Sequence, residues 1–419
     1  MESAPPLTRP HLIECQDCGT IQRLPAMPAQ SRAVCPRCDA FLRHTRVDPF
    51  SLPLALNLAA LVMLTIGAFW TLLSVSTAGQ SRAANLLTGP DQLWSFGLWE
   101  LSVVVLTTTF AAPLLRVLCM IAVLVGLRLP HRPPGIRMAF AWVEHLRPWS
   151  MIEIFLLGLF VAYVRLSDIA HIDLGPAILA LATLTVTVLA ADVSLDEHAV
   201  WEALDAHKPR RALHAPPAGL LGATLHRMGC DTCRLVMRGR EGTLCPRCGF
   251  PLHHRKLDSI TRTWALVLAA MILYIPANIY PVLTVIRFGA GQPSTILEGV
   301  RELMAAEEWP LALLVFFASV AVPVLKLVSL ILLLVTTMAG LRVRRRDRTV
   351  LYRIIDAVGR WSILVALVQF GAVVTVIPGP GAIAFASVVI LTMFAARSFD
   401  PRLIWDRADE RSDLVLEPA

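Results

Sequence analysis

The sequence predicts an all-α polytopic membrane protein with about eight transmembrane helices in two parallel four-helix repeats, each preceded by a small cysteine-bounded module. Three observations predict it: a four-cysteine cluster occurs twice, apolar segments of membrane length follow each cluster, and the two halves align residue by residue. With 56% hydrophobic and 16% charged residues over 419 positions, the chain is too apolar for a water-soluble protein of that size.

The first module occupies residues 1–48, where Cys15-Gln-Asp-Cys18 is followed after 16 residues by Cys35-Pro-Arg-Cys38. The second lies, with its linker, in 201–258, where Cys230-Asp-Thr-Cys233 is followed after 11 residues by Cys245-Pro-Arg-Cys248. A Cys-x-x-Cys turn points two thiolates at one tetrahedral metal, and two such turns close a structural site. Cys15, Cys18, Cys35 and Cys38 thus read as ligands of one Zn2+, and Cys230, Cys233, Cys245 and Cys248 as ligands of a second, in two zinc ribbons. Pro36 and Pro246 pre-set φ for the knuckles, and Gly19 and Gly249 let the backbone fold close to the sulfurs. The competing reading is dithiol redox chemistry; two matched pairs of turns favour metal. Neither module has a sizeable apolar core, so each depends on metal binding, worth on the order of 10–16 kcal/mol apparent in zinc-finger peptides. Cys119, in an apolar run, reads as a small buried hydrophobe.

The first four-helix repeat is assigned to 49–200, with spans near 52–77, 98–127, 149–170 and 174–191. The second is assigned to 259–397, with spans near 263–286, 310–341, 361–377 and 381–396, and 398–419 forms a tail. Each span reaches or nearly reaches the roughly 20 residues a bilayer core requires. No cleavable signal peptide is expected ahead of them. Orientation follows the arginines: Arg43 and Arg46 precede span one, Arg128, Arg132, Arg137 and Arg147 follow span two, and Arg342, Arg344, Arg345, Arg346 and Arg348 follow span six. The opposite loops carry Arg82 and an acid-rich stretch, Glu298, Glu302, Glu307 and Glu308. Both ribbons and both termini are therefore expected in the cytosol, whose reducing conditions suit thiolate ligands. The net charge of +7 is mostly this topological arginine, so no nucleic-acid partner is expected.

The duplication aligns Cys35 with Cys245, Asp48 with Asp258, Pro113 with Pro323 and Arg116 with Lys326, all at an offset of 210. Trp149-Ser150 aligns with Trp361-Ser362, and Asp196 and Trp201 align with Asp400 and Trp405. An even number of spans per half gives both the same orientation, related by an axis along the membrane normal, with a working site expected between them.

Lys326 is the leading site residue. It stands midway in the apolar run from Leu311 to Leu341 and is one of only three lysines, with Lys208 and Lys256. A charge at that depth costs roughly 2.5–3.5 kcal/mol on insertion scales and must face a cavity or a partner. Lysine can also give up its proton where arginine cannot, which leaves Arg116 as a fixed charge. The plain alternative is a structural ion pair. Pro113 and Pro323, three residues before these cations, each free a backbone carbonyl. Arg165 and Asp168, three apart, share a helix face and form either a gate paired with Lys326 or an interfacial ion pair. Asn278, in a span interrupted by Pro276 and Pro281, together with Ser362, Gln369 and Thr392, could line the same region or merely satisfy nearby carbonyls.

The paired ribbons, Tyr274-Ile-Pro-Ala-Asn278, the Pro-x-x-basic helices, Arg360-Trp361-Ser362 and the closing Phe399-Asp400-Pro401-Arg402-Leu403-Ile404-Trp405-Asp406 resemble the paraquat-inducible protein A family over nearly the whole chain. The resemblance implies a bacterial inner-membrane protein working with a periplasmic MCE-domain (mammalian-cell-entry) partner, whose stacked rings form a lipid tunnel. The expected function is loading or extraction of phospholipid for that tunnel, proton-coupled through Lys326. Two alternatives stay open: a non-transporting scaffold whose ribbons recruit a partner, and a redox- or zinc-responsive stress protein. No P-loop, Ser-His-Asp spacing, His-Glu-x-x-His motif or dinucleotide fingerprint stands out, so no enzyme is expected.

Overall fold

A computed structural model describes residues 11–406 apart from 207–225, most of 151–170, and short stretches at 78–79, 96, 98, 288–289, 306, 372–375 and 379. The chain opens with two antiparallel hairpins, β1 (His11–Glu14) with β2 (Ile21–Leu24) and β3 (Arg32–Val34) with β4 (Phe41–His44), each bearing one cysteine pair at its knuckle. Asp48 then accepts hydrogen bonds from the amides of Phe50 and Ser51 at 3.1 and 2.8 Å, satisfying free donors at the start of α1 (Ser51–Phe69). That helix stops where Trp70 turns extended.

Beyond it come β5 (Leu73–Thr77), β6 (Gln80–Ala84) and α2 (Thr88–Ser95), then α3 (Trp99–Leu106), a π-helical turn at Thr107–Ala111 and α4 (Ala112–Gly126). The chain continues through α5 (Ile136–Leu146), β7 (His171–Leu174), α6 (Pro176–Ser194) and α7 (Glu197–Asp205), the last capped by Asp196 accepting from the Ala199 amide at 3.1 Å.

The same order then recurs. The hairpin β8 (His226–Gly229) and β9 (Val236–Gly239) leads to α8 (Ser259–Ile279), β10 (Leu283–Arg287), β11 (Ala290–Ser294) and α9 (Ile296–Ala305). After them come α10 (Trp309–Phe316), a second π turn at Phe317–Ala321, α11 (Val322–Met338), α12 (Arg345–Gly371), β12 (Val376–Pro378) and α13 (Pro380–Ser398). Among the described residues, 6 helices are long and apolar enough to cross a membrane: 51–69, 102–126, 176–194, 259–279, 319–338 and 380–398. Of the two further predicted spans, 149–170 falls largely outside the described residues, and 361–377 begins as part of α12 and runs into 372–375, also outside them.

The fold departs from the all-α expectation. At the end opposite the cysteine modules stand two three-stranded antiparallel sheets, ordered β6-β5-β7 and β11-β10-β12. Predicted spans one and five therefore end early, at Phe69 and Ile279, and their last residues are strand. Leu73-Ser-Val-Ser-Thr77 and Leu283-Thr-Val-Ile-Arg287 are rich in β-branched residues and placed past the length a bilayer needs, where pairing satisfies their backbone. Spans two and six likewise contain a π turn, at equivalent places directly before Pro113 and Pro323. Proline lacks an N–H and its ring pushes on the carbonyl four residues back, that of Thr109 or Ser319; a widened turn absorbs that mismatch. The interruption expected of Pro276, by contrast, is absent, because α8 continues through it to Ile279.

Packing follows membrane rules rather than those of an oily core. Small residues bring α1 and α6 together: Ala60, Gly67 and Ala68 face Ala177 and Leu181, while Leu179, Val186 and Leu189 of α6 point outward. The helices α8 and α13 repeat this with Ala270 and Ala277 on one side and Ala382, Ala386 and Ala395 on the other. The two halves meet where Leu93 and Val105 enter the apolar cluster of Phe385, Val389 and Met393, with the Trp149 ring 6.1 Å from that of Phe394.

Gly175 closes the first sheet onto the bundle. Its amide donates to the Leu72 carbonyl at 2.8 Å, and a Cβ there would lie 2.0 Å from the Thr71 carbonyl oxygen. Gly175→Val is expected to cost about 1–3 kcal/mol and to lower the melting temperature in detergent; an unchanged melting curve would show that this approach is not needed.

Candidate functional site

Among the described residues, three buried side chains on the π turn and α11 have polar atoms without a hydrogen-bond partner: Ser319 Oγ, Lys326 Nζ and Thr337 Oγ1. Their numbers step by seven and eleven, which keeps them on one helix face. Lys326 is 3% exposed, with Pro323 and Leu330 buried beside it on the same face. Asp356 on α12 is the acid whose charge acts on it. A buried ammonium whose donors find no acceptor is costly, and a site of this kind persists where a ligand, water or proton movement uses it.

Its repeat mate is arranged differently. Arg116, 7% exposed, is bound directly to Asp192 of α6, and Arg147 lies 3.9 Å from the same carboxylate. Asn57, Ser150 and Met120 are among the residues that line, with Arg116 and Asp192, a cavity of about 10 Å³ there, room for about one water. Both α6 and α13 have 19 residues and begin with proline, at 176 and 380, so Asp192 corresponds to Ala396. The first half therefore neutralises its buried cation locally; the second half has an apolar methyl in place of the acid.

From Arg116 an ionic path leads to the cysteine modules. Arg147 binds Glu197 at 3.1 Å, and Arg234, next to the ligand Cys233, reaches the other oxygen of Glu197 at 3.5 Å. Burial, joined by repulsion from Glu197, pushes the Glu144 carboxyl up to about 7 from its ordinary 4.5. A second buried network joins Arg402 to Asp400 at 3.0 Å, Glu14 at 3.4 Å and Asp231 at 3.3 Å. Burial opposes ionisation of Asp400, but Arg402 and the Lys256 amide hold its carboxyl below the ordinary value.

The cysteines form two closed sets, each with all four sulfurs within 4.8 Å of one another and all buried. Opposed pairs lie at 3.5 and 3.6 Å in both modules, close to the roughly 3.8 Å edge of a thiolate tetrahedron with 2.3 Å metal–sulfur bonds. Each set can hold one tetrahedral ion. Left-handed Gly19, Asp39, Arg234 and Gly249 return their amides to the first cysteine of each knuckle at 2.8–2.9 Å.

The remaining predicted residues divide three ways. Thr392 is buried, but its hydroxyl donates to the Val389 carbonyl at 2.9 Å, and Asn278 donates to the Tyr274 carbonyl at 2.8 Å, so both hydrogen-bond to their own helix rather than to Lys326. Arg165 and Asp168 lie outside the described residues, as does the Ser362 side chain. Sequence reasoning passed over Asp192 and Asp356. Asp356 sits in an arginine-rich stretch that reads as a solvated loop, although its alignment with Glu144 at the repeat register marked both as paired acids.

Glu144 supplies a pH test. The folded state holds its proton more tightly than the unfolded state, so this residue makes stability fall as pH rises from 4.5 toward 7. Glu144→Gln is expected to flatten that part of a stability–pH profile and to stabilise the protein at pH 8; a profile identical to wild type would place the charge in solvent.

The family model described as paraquat-inducible protein A matches residues 50–205 and 260–409. The intermembrane transport protein PqiA of Escherichia coli K12 is 33% identical over 409 residues, covering 95% of this chain and 96% of that one. The lipophilic envelope-spanning tunnel protein A of the same strain is 30% identical over 410 residues, 96% and 92% of the two chains. A probable intermembrane transport protein of Haemophilus influenzae is 22% identical over 94% and 95%. No solved structure matches. With six apolar helices and these relatives, this is a multi-pass bacterial membrane protein, and the chain belongs to the paraquat-inducible protein A family.

Proposed function

We propose that the protein is an inner-membrane subunit of an intermembrane lipid transport system, loading or extracting phospholipid for a periplasmic MCE-domain tunnel. In this reading the ribbons and both termini are cytoplasmic, the two sheets are periplasmic, and the bundles are parallel four-helix repeats related about the membrane normal. The two cysteine sets hold structural Zn2+, which clips each small hairpin module into one conformation.

The observation that carries the reading is the contrast between Lys326, buried without a hydrogen-bond acceptor, and Arg116, bound to Asp192. An unneutralised cation inside an apolar bundle suits a phospholipid headgroup with its tails among the helices, or a proton that comes and goes. Lysine serves both purposes, with Asp356 as the nearby acid. The names of the two Escherichia coli relatives support an envelope-transport role. The alternative is a non-transporting scaffold whose ribbons recruit a partner.

The test is bound lipid measured by mass spectrometry in native-lipid particles. Wild type is expected to retain phospholipid near one molecule per chain, and Lys326→Ala to lose most of it while keeping its expression level. Equal, loosely held lipid in both would favour the scaffold.

A further inference from the structure

We propose that the two cysteine modules are metal-dependent cross-clamps, each seating its apolar face on the helices of the opposite repeat, while a basic residue after its last cysteine, Arg43 to Asp196 at 3.3 Å and Arg255 to Asp406 at 2.5 Å, ties it to its own. Ile13, Leu24 and Leu42 of the first module share an apolar cluster with Tyr352, Phe399 and Trp405 of the second half. Met228, Leu235 and Leu252 of the second module share one with Phe140, Trp201 and Leu204 of the first half.

One set of polar contacts is exchanged in the same way, at equivalent positions. Arg37, inside Cys35-Pro-Arg-Cys38, lies over the Trp405 ring at 4.6 Å, and Arg247, inside Cys245-Pro-Arg-Cys248, lies over the Trp201 ring at 5.9 Å. The arginines correspond at the 210 offset, and the tryptophans, in sequence, at 204. Arg353 of α12 binds Asp17 at 2.6 Å and donates to the Cys38 carbonyl at 2.9 Å, so it grips both knuckles of the first module. On the other side, Arg247 binds Asp205 at 2.7 Å and the Cys233 carbonyl at 3.2 Å, while Phe250 stacks on His145 at 4.6 Å.

These contact groups lie between the ligands or on their own carbonyls. Asp17 stands between Cys15 and Cys18, and Arg37 between Cys35 and Cys38. A module too small to fold on its apolar residues places them only while the four thiolates are held together. Metal loss from one module should therefore loosen the far-half helix it grips, α12 for the first module and α5 for the second. Where the modules touch, Gln16 donates to the Asp231 carbonyl at 2.9 Å and Arg234 to the Leu42 carbonyl at 3.4 Å, a small seam beside the two clamps. The inference is independent of the transport reading, since it concerns only which half each module holds.

Hydrogen exchange on the full-length protein in lipid nanodiscs tests it, with zinc content measured on the same samples. Cys15→Ser with Cys38→Ser should remove one zinc and raise exchange at least fivefold in 345–358, leaving 136–146 protected. Cys230→Ser with Cys248→Ser should give the reverse. Arg37→Ala and Arg247→Ala, with both zinc ions retained, should give the same two patterns at about twofold, which covers any misfolding of the cysteine variants. Loosening confined to a module's own half, or equal loosening of both halves by the arginine variants, would overturn the proposal.

Discussion

A cation in the middle of a membrane helix has to be answered by something, and the rest of this structure is arranged around two different answers. Leaving the charge to lipid is excluded by its cost. In the first half the answer is internal: Asp192 on α6 meets Arg116, and Arg147 and Glu197 extend the compensation to the edge of the bundle. In the second half α13 offers Ala396 at the matching place, and Lys326 keeps its proton donors free in a buried position. The two sites differ at more than one position: Arg116 against Lys326, and Asp192 against Ala396.

The π turns belong to the same account. Each places a widened backbone immediately before a proline and its cation, so the helix carrying the charge is built from two segments rather than one rod. The π turn at Phe317–Ala321 is an irregularity in the same helix that carries Lys326. At the two ends of the bundle the chain is fixed more firmly. Three-stranded sheets pair β5 of the β5–β6 hairpin with β7 and β10 of the β10–β11 hairpin with β12, and the cysteine modules pack across the repeat at the other end.

Much of this was legible in the sequence because it is local or periodic. The Cys-x-x-Cys spacing specified two tetrahedral sets, the apolar runs located six of the eight expected spans, and the 210 offset paired Arg116 with Lys326. The sheets were hidden because Leu73–Thr77 and Leu283–Arg287 are apolar enough to extend the helical runs before them, and hydropathy alone does not tell a strand from a helix tail. Asp192 and Asp356 were missed for another reason: both sit at span edges, where acids are ordinary, and only the packing of α6 and α12 gives them partners. Asn278 and Thr392 show the converse, polar residues in spans that hydrogen-bond to their own helix. Exchange of the modules between halves is wholly non-local and leaves no trace in spacing.

The claim that unequal neutralisation makes the second half the working one is tested most directly by restoring the equality. Ala396→Asp places in α13 the acid that Asp192 supplies in α6, without touching Lys326. Lipid transfer between reconstituted donor and acceptor vesicles, measured for this variant at matched protein level, should fall at least tenfold while the melting temperature holds or rises. Transfer at the wild-type rate in a folded Ala396→Asp protein would contradict the account, because the free charge of Lys326 would then be incidental.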